Sequence, residues 1–98
     1  MNNTEYLLIK LMEECAEVIK ECSKSLRFGL DDMNPNNLFT NRQCLTSELT
    51  DVYAVMDMLD DKDIITGVDD GENVKRAKNR IKKYMEVSRK KGTLNGSN

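Results

Sequence analysis

Glu14 and Glu17, and then Glu48 and Asp51, are two pairs of carboxylates spaced three residues apart, within Glu13-Glu14-Cys15-Ala16-Glu17 and Glu48-Leu49-Thr50-Asp51. On a helix, side chains three apart project from one face. Two such helices side by side would aim four carboxylates at one spot, and their repulsion needs a cation to offset it. The chain has no histidine, so the cation is expected to be a hard one held by oxygen, Mg²⁺ or Mn²⁺. Zinc, copper and haem sites are disfavoured, and di-iron bundles require a Glu-x-x-His motif that is missing. An acidic pair alone is usually solvated helix surface. Here the pairs border apolar seams, and positions i+4 from each acid hold Val18, Glu21, Val52 and Val55 in place of a lysine.

The elements that must position these acids are helices. Thr4 is the expected N-cap of a first helix running from Glu5 to about Leu26. At about 100° per residue, Leu8, Leu11, Met12, Cys15, Val18, Ile19 and Cys22 share its apolar face. Lys10, Glu14, Glu17, Glu21 and Lys24 form a polar stripe along one margin, while Glu13 points roughly away from the core. Gly29 is expected to end the helix in a left-handed conformation, and the Asp/Asn/Pro cluster at 31–37 marks a loop. A second helix should begin between Pro35 and Asn41 and reach about Asp60, burying Leu45, Leu49, Val52, Met56 and Leu59. A third, from about Glu72 to Lys90, should bury Val74, Ala77, Ile81, Tyr84 and Met85 beside a basic stripe of Lys75, Lys78, Lys82 and Arg89.

These elements predict an all-α fold: a bundle of three main helices over residues 1–91, with 92–98 as a disordered tail. With 98 residues, 39% of them apolar and only one proline, the chain suits helices better than a sandwich or barrel. Three helices of this length leave an open bundle, so completion by a homodimer or homotetramer is expected. Cys15, Cys22 and Cys44 are odd in number and show no CxxC spacing; Cys15 and Cys22 read as core residues of the first helix, and three reduced thiols fit a reducing compartment. No apolar run approaches the ~20 residues of a membrane span, and no signal peptide is visible, so the expected location is cytoplasmic.

Charge is distributed unevenly. Residues 1–72 carry 16 acidic and 6 basic side chains, whereas 73–98 carry 9 basic and 1 acidic, a net of −10 against +8. Acids that hold a metal, beside bases that offset remaining negative charge, describe a polyphosphate site. Lys24 and Arg27, at the end of the acidic stripe, are candidate phosphate contacts, as are Lys75, Lys78 and Lys82. The alternative for both groups is an ordinary solvated helix surface.

The pattern Glu13-Glu14-x-x-Glu17 followed by Glu48-x-x-Asp51 resembles the signature of MazG-like nucleotide pyrophosphohydrolases, of the all-α NTP pyrophosphatase superfamily. The resemblance runs from Leu7 through Ser23-Lys24-x-Leu26-Arg27-Phe28-Gly29 and from Asn41-Arg42 to Val55, about half of the chain. The 30 residues between Glu17 and Glu48 stand at the long end for that family, a departure that leaves open what the 29–40 loop contributes to a substrate pocket. The resemblance implies Mg²⁺-dependent hydrolysis of a nucleoside triphosphate to monophosphate and pyrophosphate. It further implies that Glu14, Glu17, Glu48 and Asp51 hold the metal and act through it and its water.

Other chemistries find little support. The chain has no phosphate-binding glycine loop of the GxxxxGK[ST] type, and His-dependent nucleophilic catalysis lacks its base. A non-catalytic helical module for nucleotide or nucleic acid is the competing reading. For nucleic acid the basic stripe is short and offers only Tyr84 for stacking.

Overall fold

In a computed structural model, residues 1–96 are described and form three helices: α1 (Asn3–Phe28), α2 (Asn41–Asp61) and α3 (Gly71–Lys90). No β-strand occurs among the described residues; Met33 and Thr40 form an isolated antiparallel bridge. The all-α expectation is therefore met. Two compact units divide the chain, Met1–Ile65 and the residues from Thr66 onward. No helix among the described residues is long and apolar enough to cross a membrane.

Each helix begins where a side chain can satisfy its free N–H groups. Asn2, two residues before the expected cap, starts α1 by accepting from the Glu5 N–H at 2.8 Å. Asn and Thr both cap well, so composition alone does not choose between Asn2 and Thr4. Thr40 and Gln43 close a reciprocal capping box on α2, and Asp70 accepts from Glu72 and Asn73 at the start of α3. Gly29 ends α1 with φ +100°, a region that glycine enters without a Cβ clash.

The α1–α2 hairpin is antiparallel. Leu7, near the start of α1, packs with Val55 and Leu59 near the end of α2, joined by Leu11 and Ile65. At the other end the connector is stitched to both helices. Buried Asn41 donates from Nδ2 to the Gly29 carbonyl at 2.9 Å, and Arg42 donates its backbone N–H to Leu30. The Arg42 guanidinium also grips Asp31 at 3.0 and 3.3 Å. This hydrogen-bonded cation holds the Asp31 carboxyl below its usual range.

Which face of α1 meets α2 differs from the expectation. The buried or half-buried positions are Thr4, Leu7, Lys10, Leu11, Glu14, Glu17, Val18, Glu21, Lys24 and Ser25, so the polar margin itself is packed. The expected apolar face is largely exposed: Met12 and Ile19 are each 70% accessible, and Leu26, next along the same stripe, 88%. Cys15 and Cys22 lie on it and are exposed, not core; Cys44 is half-buried. On α2 the buried residues are Asn41, Val55 and Leu59, while Leu49, expected inside, is exposed.

At about 100° per residue, the Leu8–Leu26 stripe lies roughly a third of a turn around α1 from its contact face. Leu49 and Tyr53 lie roughly a third of a turn around α2 in the same rotational sense. In an antiparallel pair this puts both on one flank of the hairpin. Glu17 and Asp51 are displaced in the opposite sense, toward the other flank.

In the second unit, α3 half-buries Val74 and Ala77. Ile81, Tyr84 and Met85, expected inside, are exposed. The segment after α3 folds back locally, where Thr93 donates from both its backbone N–H and its hydroxyl to the Ser88 carbonyl. Residues 97 and 98 of the expected tail lie outside the described residues.

Candidate metal centre

The face that α1 turns to α2 carries Glu14 one turn beyond Leu11, and α2 answers with Glu48 one turn before Val52. Carboxylate oxygens of Glu14, Glu48 and Asp51 lie within 4.8 Å of one another. Glu14 and Glu48 are half-buried, and Asp51 is open to solvent. Oxygens around an octahedral Mg²⁺ at about 2.1 Å stand roughly 3–4 Å apart, so a small contraction fits these three to such an ion. The all-oxygen donor set suits Mg²⁺ or Mn²⁺ in kind as well.

Electrostatics single out Glu48. Its carboxyl is held above the ordinary value, first by loss of water on burial and then by the charge of Asp51. Hydrogen bonding with Glu14 and the charges of Glu14 and Glu17 add to the effect. Three acids whose proximity disfavours ionisation of Glu48 are matched to a cation at their centre.

Glu17, the fourth expected ligand, stands apart from this triple. It lies close enough to act on Glu48 by charge, and its carboxylate is 3.9 Å from Lys20. The acids are also less bare of bases than a search four residues ahead suggests. Lys10, four residues before Glu14, reaches it at 3.3 Å and Glu13 at 3.6 Å. These carboxylates, Glu14 foremost, raise the Lys10 pKa. One cation at the margin leaves the Glu48 shift standing, so the cluster remains short of positive charge.

The expected phosphate contacts are dispersed. Lys24 lies 3.6 Å from Glu21 Oε1, and the Arg27 guanidinium sits 4.9 Å over the Phe28 ring. Lys75, Lys78 and Lys82 are exposed on α3, with no carboxylate within salt-bridge distance among the described residues.

One residue was missed as a functional candidate. Glu21 is only 6% accessible, and its Oε2 is buried without a hydrogen-bond partner. It lines a cavity of about 390 Å³ together with Asn37, Phe39, Gln43, Cys44 and Glu48. In the sequence Glu21 looks like any member of the polar stripe, and only the packing of α2 against that stripe distinguishes it. Comparison with family models, curated proteins and solved structures gave no match to the chain.

Proposed function

We propose that this chain is a MazG-like, Mg²⁺-dependent nucleoside triphosphate pyrophosphohydrolase, releasing a (d)NMP and pyrophosphate. The observation that carries this reading is the convergence of Glu14, Glu48 and Asp51 from two helices within 4.8 Å, around a Glu48 held above its ordinary pKa. These three residues would hold Mg²⁺ or Mn²⁺, with Glu17 adding negative charge from the next turn. A divalent ion there supplies Lewis-acid polarisation of phosphoryl oxygens and a lowered pKa for its water. The half-buried carboxylates fix the position at which the polyphosphate is read, and Lys24 and Arg27 offer cations at the end of the same helix. Lys75, Lys78 and Lys82 are further candidate phosphate contacts. Three thiols with no disulfide among them fit a reducing, cytoplasmic setting.

The active form is a homodimer or homotetramer in which a second copy covers the apolar flank of the hairpin. The exposed parts of Leu8, Met12, Ile19, Leu26, Leu49 and Tyr53 amount to on the order of 700 Å² per copy, near the ~800 Å² per partner of a standard interface. Leu8, Met12, Cys15, Ile19, Cys22 and Leu26 follow alternating steps of four and three residues, the spacing of a helix–helix seam. Antiparallel self-pairing about residue 17 sets Leu8 against Leu26, Met12 against Cys22 and Cys15 against Ile19, so the smaller thiols meet larger side chains.

Product analysis tests the activity. Purified protein with Mg²⁺ should convert a (d)NTP to (d)NMP plus pyrophosphate; release of (d)NDP plus phosphate, or no turnover of any (d)NTP with Mg²⁺ or Mn²⁺, rejects it. Nucleotide affinity without turnover would support the competing reading of a non-catalytic binding module.

A further inference from the structure

We infer that the cavity beside the acid cluster receives the nucleobase, and that Glu21 selects bases bearing an exocyclic amine. This rests on the triphosphate reading, because Glu48 belongs both to the cluster and to the cavity wall. A polyphosphate at the cluster would therefore direct the rest of its nucleotide into a space of about 390 Å³, within the usual range for small-molecule sites.

The polar groups of the cavity are already partly committed, and the commitments decide what a ligand must offer. Asn37 Oδ1 accepts from the Phe39 N–H at 3.0 Å, and Gln43 Oε1 accepts from the Thr40 N–H at 2.9 Å. Both amides thus turn their NH₂ groups toward other partners; that of Asn37 has only a long contact to Cys44 Sγ at 3.9 Å. On the α1 side, Glu21 Oε1 faces Lys24 at 3.6 Å, while Oε2 has no partner. A buried, unsatisfied carboxylate oxygen is costly until a donor reaches it. The half-exposed Phe39 ring adds a surface on which a base can stack.

The matching ligand edge carries a projecting N–H donor for Glu21 and acceptors for the two amides. Cytosine, adenine and guanine each offer an exocyclic amine of this kind. In uracil and thymine the ring N–H lies between two carbonyl oxygens, which a carboxylate would repel. CTP and UTP share their sugar and triphosphate and differ only along this edge, in the amine or carbonyl at position 4 and in the proton on N3.

The test is kcat/KM for CTP and UTP with Mg²⁺, in the unaltered chain and in Glu21→Gln. The unaltered chain should favour CTP by about 10- to 100-fold, the span of one hydrogen bond to a charged group. In Glu21→Gln, whose amide can donate as well as accept, that ratio should collapse to within about threefold. Phe39→Ala should raise KM for both nucleotides and leave the ratio in place, which separates stacking from edge reading. Equal use of CTP and UTP by the unaltered chain, or an unchanged ratio in Glu21→Gln, overturns the assignment while hydrolysis itself stands. If neither nucleotide is hydrolysed, the product analysis across the other (d)NTPs decides the triphosphate reading separately. Calorimetric binding of CMP against UMP then decides the cavity: a CMP preference lost in Glu21→Gln sustains it, and equal binding overturns it.

Discussion

The two flanks of α1 have opposite chemistries and have exchanged the roles that hydrophobicity would assign them. The side bearing Glu14, Glu21 and Lys24 is packed against α2, whereas the side bearing Met12, Ile19 and Leu26 faces solvent. Burying carboxylates and exposing large aliphatic groups are both unfavourable for an isolated hairpin. The contrast teaches that neither flank is finished. One lacks positive charge and the other lacks cover, and the function proposed above supplies a metal to the first and a second copy to the second.

The largest effect that could break this comparison is expected on the apolar flank. Ile19→Glu would place a charge in the self-pairing seam and cost roughly 3–5 kcal/mol per copy, enough to leave a monomer at micromolar concentration. Sedimentation equilibrium of the unaltered and substituted chains reads this directly; an unaltered chain that is already monomeric removes the second copy from the account.

A smaller effect is expected on the acidic flank. Mg²⁺ at about 100 times its Kd should add about 2.7 kcal/mol to unfolding stability, and Glu48→Ala should abolish that gain in a thermal melt. The metal-free chain should also respond to pH with a definite sign. Because the folded state holds Glu48 above its ordinary 4.5, folding favours its proton. The stability it contributes is present below the unfolded pKa and is lost as pH rises through the raised folded value. Asp31 acts oppositely: it is held below its ordinary 3.8, so its contribution is lost as pH falls. Melting the metal-free chain between pH 4 and 7 should therefore show a decline that Glu48→Gln flattens. An undiminished decline in that variant would assign it to other groups.

The smallest effect sharpens the comparison by touching neither flank. Asn2→Ala removes the cap of α1 and should cost about 1 kcal/mol. Subunit association and the Mg²⁺ response should persist, as sedimentation and melts with and without the ion would report.

The helices were legible in the sequence because caps, glycine and apolar period are local signals. The start of α2 at Asn41 and the span of α3 fall where these signals place them. The convergence of Glu14, Glu48 and Asp51 was legible for the same reason, since spacing fixes direction on a helix. The contact face of α1 was not. Periodicity shows that Leu8, Met12 and Ile19 share a side, but leaves open whether α2 or some other surface covers it. Lys10 belongs to the polar stripe, but positions four residues after each acid do not reveal it as a partner, because it stands four residues before Glu14. Glu21 escaped because only tertiary packing makes a surface acid into a buried one.

The connector between α1 and α2 is fastened at both ends, by Asn41 to the Gly29 carbonyl and by Arg42 to Asp31. Within those fastenings its length is free of the helix register. It therefore behaves as an exchangeable cassette: residues such as Asn37 and Phe39 could be replaced, lengthened or swapped between lineages while the acids on the helices keep their places. The stacking ring and amide groups on the connector can then vary apart from the acids carried by the helices.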